Sequence, residues 1–150
     1  MALTGTYERN LDAKGRLSLP APVKESINGA VRVFPALEVD ALYVFTDENY
    51  EKYLDGLFEK KGGFDPRDEE DQELRRQLNA MATPMEVDAA SRIGLTEQLR
   101  AEGKLGREVT VVGNTDHLEI WDRKTWEARQ AATPRAKLAA AFFKKSAVGA

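Results

Sequence analysis

Residues 47–63, DENYEKYLDGLFEKKGG, place Tyr50, Tyr53, Leu54, Leu57 and Phe58 at i, i+3, i+4, i+7 and i+8. That spacing is one apolar stripe of an amphipathic helix, and Gly62 or Gly63 ends it. Ahead of it, VRVF and ALYVF are short apolar runs that predict two strands of a hairpin. EVTVVG and HLEIWD predict a second hairpin, with Asn114, Thr115 and Asp116 as turn residues. In RLSLP the residues alternate, so Leu17 and Leu19 share one face of a strand. Pro20 and Pro22 end that strand, and Val23 and Ile27 follow at helical spacing up to Gly29. Thr96 is an N-cap for EQLRAE, with Gly103 as its stop. Each half of the chain therefore predicts strand, short helix, hairpin and aromatic-bearing helix.

The halves also match residue by residue under a shift of 76 (88 − 12). Asp12 falls on Asp88, Arg16 on Arg92, Leu17 on Ile93, Leu19 on Leu95 and Lys24 on Arg100. Phe45 falls on Trp121 and Tyr50 on Trp126. An internal repeat of this kind implies two related structural units. Between them, FDPRDEEDQELRRQLNAMATP reads as a solvated acidic helix that starts near Asp65 and Pro66 and buries only an edge of Leu74, Leu78 and Met81. The chain divides into a first unit at 1–63, an acidic connecting helix at 64–81, a second unit at 82–130 and an Ala-rich tail at 131–150. From Arg129 to Lys145 the tail side carries Arg129, Arg135, Lys137, Lys144 and Lys145 and no acidic residue.

The candidate chemistry lies in two short loops, LDAKGRL and VDAASRI, each at the mouth of a strand. Asp12 and Arg16 stand four apart, as do Asp88 and Arg92, so each pair projects to one side. A surface ion pair that steadies a turn is the plainer reading, worth under about 1 kcal/mol. The functional reading is that the carboxylate holds the guanidinium in one pose. Its planar fork can then meet a guanine edge or a phosphate with two parallel hydrogen bonds. Lys14 stands beside the first pair to reach phosphate, and Gly15 permits the turn. Two such loops related by the internal repeat present two arginines on one face.

These residues resemble a known family. GTYERNLDAKGRLSLPAPVKES, VDAASRIGL and VVGNTDHLEIWDRKTW are similar to the MraZ family of bacterial transcriptional regulators, over about residues 3 to 130. The resemblance implies an α+β fold in which two pseudo-symmetric repeats form an AbrB-like β-barrel of the swapped-hairpin, double-split type, with flanking helices. It implies a ring-shaped homo-oligomer in the cytoplasm, associated with the nucleoid. That assembly would bind direct repeats in double-stranded promoter DNA and repress its own division and cell-wall operon. The family's DNA-contacting Asp-x-x-x-Arg motif carries over to Asp12 and Arg16 and to Asp88 and Arg92, with Lys14 as a phosphate contact. The second motif departs from the pattern: Ser91 stands where the family generally has Gly, Thr96 where it has Pro, and no lysine is present. The first loop is therefore expected to dominate base reading.

Composition narrows the classes. The chain has no cysteine and one histidine, which leaves no disulfide framework, no thiolate metal site and no cluster of His ligands within one chain. No cofactor is called for. The N-terminus lacks an apolar h-region, so no signal peptide is expected, and ALYVF and LAAAFF are far too short to cross a bilayer. The net charge of −3 argues mildly against nucleic acid, but an acidic middle hides a basic end. No Ser–His–Asp set, phosphate-cradling loop or paired carboxylate in an apolar setting suggests an enzyme. His117 reads as the end of a hairpin turn, and Trp121 and Trp126 as core or interface aromatics. Two other functions compete. The same barrel serves as an antitoxin-like protein-interaction module, and a small-molecule-binding barrel or enzyme is the third choice.

Overall fold

The computed structural model describes residues 2–143. Its strands are β1 (Thr6–Asn10), β2 (Arg16–Ser18), β3 (Ala30–Pro35), β4 (Leu42–Thr46), β5 (Thr83–Glu86), β6 (Arg92–Gly94), β7 (Glu108–Gly113) and β8 (Leu118–Asp122). Its helices are α1 (Asp47–Glu59), α2 (Glu69–Met81), α3 (Glu97–Glu102), α4 (Arg123–Ala132) and α5 (Arg135–Phe143). The fold is α+β, as expected.

Six strands form one antiparallel sheet in the order β1-β7-β8-β4-β3-β5, and β2 pairs with β6 in a separate ribbon. The two halves exchange edges: β1 of the first lies against β7 of the second, and β5 of the second against β3 of the first. The order reads identically from either end once each strand is exchanged for its counterpart. The sheet stays open at β1 and β5, and no closed barrel occurs among the described residues.

Alternation along the strands builds the core. Val31, Val33, Leu42, Val44, Val109, Val111, Leu118 and Ile120 lie on one face of the sheet, packed with Leu17, Leu19, Ile93 and Leu95 from around the ribbon. Each such side chain contributes roughly 1.5–3 kcal/mol of burial. Phe34, Tyr43, Phe45, Tyr50 and Leu54 form a second, aromatic cluster beneath α1.

The helices follow local chemistry. Thr46 Oγ1 accepts from the Asn49 N–H at the start of α1, and Tyr50, Leu54 and Phe58 of the expected stripe are buried. Thr96 Oγ1 likewise caps α3 through the Leu99 N–H. Gly103 does follow α3, but for a reason other than a left-handed cap: its φ is −81°, and a Cβ there would come within 2.8 Å of Leu42 Cγ. The short helix expected in the first half contracts to a 3₁₀ turn at Ala21–Val23.

Three features differ from the sequence reading. Strands β1 and β5 were not foreseen. Both are polar edge strands with only every second residue half-buried, and Pro84 in β5 is tolerated because an edge strand leaves one side of its ladder unpaired. The connecting helix begins at Glu69, capped by Asp68, rather than near Asp65. Nor is its acidic run wholly solvated. Asp71 is buried, accepts from the Asp65 N–H at 2.9 Å and faces Lys61 Nζ at 3.8 Å. Lys144 and Lys145, the last cations of the expected basic tail, lie outside the described residues.

Candidate functional site

The two loops close in the same way. In the first, the Asp12 N–H donates to the Arg16 carbonyl at 3.0 Å and the Gly15 N–H to the Asp12 carbonyl at 2.9 Å. Asp12 Oδ1 accepts from the Lys14 and Arg16 N–H groups at 2.9 and 2.8 Å, and Oδ2 accepts from Arg16 Nε at 2.6 Å. In the second, Asp88 Oδ1 accepts from Ala90 and Arg92 N–H groups at 2.9 and 2.8 Å, and Oδ2 from Arg92 Nε at 3.0 Å. One carboxylate oxygen therefore folds the loop and the other orients the guanidinium. Since each Asp binds through Nε, these contacts leave the terminal Nη donors of each arginine unused.

Gly15 turns the first loop with φ 78°, and Ser91 turns the second with φ 59°. The departure of the second motif from glycine therefore leaves its geometry intact. The loops also interlock: the Gly15 carbonyl accepts from the Leu95 N–H and the Ser91 carbonyl from the Leu19 N–H.

Both carboxyls are held below the usual aspartate range in this setting. Asp12 is held at about 2, chiefly by the Arg16 backbone N–H; partial removal from water opposes this, and the Arg16 side chain and Lys14 N–H reinforce it. Asp88 is lowered as well, led by the Arg92 backbone N–H. Both stay ionised near neutrality and keep their hold on the arginines.

The ribbon turns two loops into one surface. Arg16 pairs with Gly94, Leu17 with Ile93 and Ser18 with Arg92. Leu17 and Ile93 point into the core, so Arg16, Ser18, Arg92 and Gly94 share the outer face. Arg16 and Arg92 are diagonal neighbours there, with Cα atoms about 7–8 Å apart. Only a serine and a glycine stand between them, and both are exposed. A Cβ at Gly94 would meet open space, and its φ is not left-handed, so nothing in the fold demands glycine at that position.

Four of the five expected site residues thus come together: Arg16 and Arg92 on the ribbon, and Asp12 and Asp88 in the loops that lead into it. The fifth, Lys14, lies exposed at the tip of the first loop, where Ala90 occupies the corresponding place in the second. Sequence reasoning did not assign Ser18, Gly94, Arg100 or Arg107 to the site. Arg100 packs so closely on the first loop that a Cβ on Gly15 would come within 2.6 Å of its Nη1. Arg107 donates from Nε to the Leu11 carbonyl at 3.3 Å. Both border a surface groove of about 520 Å³ beside Asp12. The match of Lys24 with Arg100 under the shift was the available signal for Arg100; the others emerge only from strand pairing and loop packing.

His117 ends the β7–β8 hairpin region, as expected, and stacks near Tyr43 and Phe45. Burial works to lower its pKa, but hydrogen bonds to Glu119 and Asp116 outweigh it and leave the value raised. Glu119 is buried and accepts from Trp121 Nε1 and Asn114 as well. Trp121 is a core residue and Trp126 is half-buried against it.

The sequence matches the family described as "MraZ protein, putative antitoxin-like" over residues 2–73 and 78–145. The chain belongs to the MraZ family. Relatives named transcriptional regulator MraZ include one from Spiroplasma kunkelii, 32% identical over 97% of this chain and 99% of its own length. Another, from Corynebacterium glutamicum (strain R), is 34% identical over 91% of this chain and 92% of its own. A third, from Mycolicibacterium smegmatis, is 32% identical over 85% and 86%. These MraZ relatives carry the names of regulators and not of enzymes. No helix among the described residues is long and apolar enough to cross a membrane.

Proposed function

We propose that this protein is a sequence-specific DNA-binding transcriptional regulator whose β2–β6 ribbon enters the major groove. The observation that carries the reading is the pair of carboxylate-held arginines set diagonally on a two-stranded ribbon with an otherwise low face. A major groove is wide enough for such a ribbon, and a forked arginine donates bidentately to O6 and N7 of guanine. Fixing the guanidinium beforehand reduces the ordering cost of binding. Lys14, Arg100 and Arg107 flank the ribbon as phosphate contacts, which set register without reading sequence.

The finer reading is a repressor of its own division and cell-wall operon, bound to direct repeats in the promoter. The protein would be cytoplasmic, associated with the nucleoid, and assembled as a ring-shaped homo-oligomer. Two AbrB-like repeats account for the exchanged edges of the sheet and for two family-matched stretches that begin at residues 2 and 78. One ribbon binds weakly, and several protomers engaged on successive repeats raise avidity without new contacts. The overall charge of −3 is no obstacle, because the field of the presented face governs steering. The test is an electrophoretic shift with DNA from upstream of its own gene, against unrelated competitor DNA. A shift that competitor removes as readily as the promoter does would reject the reading. The family description's term "antitoxin-like" supports a second reading, a protein-interaction module. Stable capture of a protein partner in the absence of any promoter shift would favour it.

A further inference from the structure

The ribbon that carries the two arginines is nearly symmetric. Under the shift of 76, β2 falls on β6 and their antiparallel register maps onto itself, about a dyad through Leu17 and Ile93. The dyad exchanges Arg16 with Arg92 and Ser18 with Gly94. The arginines are alike and are held alike by Asp12 and Asp88. Ser18 and Gly94 are therefore the one unlike pair among the ribbon's outward positions, and both are exposed.

That difference matters because a DNA duplex has the same kind of symmetry. Its strands run antiparallel, so its backbone looks the same in either direction along the groove. A ribbon with two equivalent arginines fits the major groove equally well both ways round. Phosphates line both sides of the groove alike and carry no sequence, so Lys14, Arg100 and Arg107 cannot choose between the two orientations. Only a side chain that meets base edges can choose. Glycine offers no such group, whereas a serine hydroxyl both donates and accepts and can meet base edges in the major groove.

The ladder sets where that hydroxyl stands. The Leu19 N–H donates to the Ser91 carbonyl and the Leu95 N–H to the Gly15 carbonyl. Pairs alternate in an antiparallel ladder, so Ser18 and Arg92 form a non-hydrogen-bonded pair, with Cα atoms about 4.5 Å apart. That is little more than the rise of one base pair, about 3.4 Å. Ser18 therefore stands one base pair from the one that Arg92 meets. The equivalent step beside Arg16 faces bare backbone at Gly94.

We infer that Ser18 gives the ribbon its direction on DNA: its hydroxyl contacts a base edge beside the guanine met by Arg92 and selects one of two otherwise equivalent orientations. The inference rests on the DNA-binding reading above and adds a polarity to it.

The chain has no cysteine, so Ala13→Cys supplies a single attachment point, in the first loop, for an iron chelate that cuts nearby DNA. On a fragment from upstream of its own gene, the labelled protein should cut to one side of each bound site. With Ser18→Gly added it should cut both sides in comparable yield, and with Ser18→Gly/Gly94→Ser the cuts should move to the opposite side. Affinity should fall about two- to tenfold in Ser18→Gly, as for the loss of one hydrogen bond. Sites selected from random duplexes by the unlabelled proteins give an independent reading: asymmetric about their centre for wild type, dyad-symmetric for Ser18→Gly. Circular dichroism is the control for folding, and a side chain at Gly94 meets open space. One-sided cutting or an asymmetric selected site that persists in Ser18→Gly overturns the inference and leaves the DNA-binding reading standing. Two-sided cutting by the otherwise wild-type protein does the same. A wild type that does not prefer promoter to competitor DNA rejects that reading, and this inference with it.

Discussion

Ser91 adopts φ 59° where Gly15 adopts φ 78°, and each closes a loop with the same set of hydrogen bonds. A left-handed backbone costs a non-glycine residue about 1–3 kcal/mol. Ser91 therefore carries strain that Gly15 does not. Ser91→Gly should raise the thermal midpoint by about 2–4 °C, the shift that roughly 1 kcal/mol gives in a chain of this size. Gly15→Ala should do the opposite and lose about 2 kcal/mol or more. Its Cβ would meet the Leu95 carbonyl at 2.8 Å as well as Arg100. Thermal unfolding checks both; equal midpoints for all three proteins would mean that the loops relax freely.

The acid titration of Asp12 follows from its hydrogen bonds. Its folded value of about 2 lies below the ordinary aspartate value near 3.9, so the folded state binds its proton less tightly than the unfolded chain. The stabilisation is fully present above about pH 4 and is lost as the pH falls through about 2. The carbon-13 shift of the Asp12 carboxyl should show a midpoint near 2. A midpoint near 4 would mean that the hydrogen bonds closing the loop on Asp12, led by that of the Arg16 backbone N–H, do not form.

Gly94 separates fold from function. Since a Cβ there meets open space and strand glycines are destabilising by roughly 0.5–1 kcal/mol, Gly94→Val should fold at least as stably as wild type. The added bulk stands opposite Arg16 on the ribbon's outer face and should weaken promoter binding at least tenfold. Undiminished binding in a folded Gly94→Val protein would mean that DNA does not approach this face.

Salt should weaken binding steeply, because phosphate contacts release counterions. Removing one such contact, as in Lys14→Ala, should reduce the slope of log affinity against log salt by about 1 and lower affinity for all sequences alike. Filter binding across a salt series checks this. An unchanged slope would take Lys14 out of the interface.

Much of the molecule was legible before its fold was known. The stripe from Tyr50 to Phe58 marked α1, Thr96 marked the start of α3, and the alternation at Leu17 and Leu19 marked the inward face beside the ribbon. The two Asp–Arg pairs stood out because their spacing is local. What stayed hidden was long-range or polar. Residues Thr6–Asn10 and Thr83–Glu86 carry too few apolar side chains to signal an edge strand, and only pairing with β7 and β3 makes them strands. The value of Ser18 and Gly94 depends on a register between segments 76 residues apart. The missing glycine in VDAASRI pointed to a weaker second loop, yet a serine can enter the left-handed region at modest cost and keep the turn.

That equivalence leads to the most direct measurement, the affinity of Arg16→Ala and Arg92→Ala for the promoter at fixed salt. Losing a bidentate base contact costs about 1–3 kcal/mol, and the loss recurs in every engaged protomer. Because both arginines are clamped alike on one ribbon, each variant should lose specific binding, to within a few-fold of the other, with circular dichroism and assembly mass unchanged. Asp12→Ala should fall between these variants and wild type, since its arginine is present but no longer held. Wild-type affinity in both folded arginine variants would contradict the account: the clamped pairs would then be turn-stabilising ion pairs, and the DNA-binding surface would lie elsewhere.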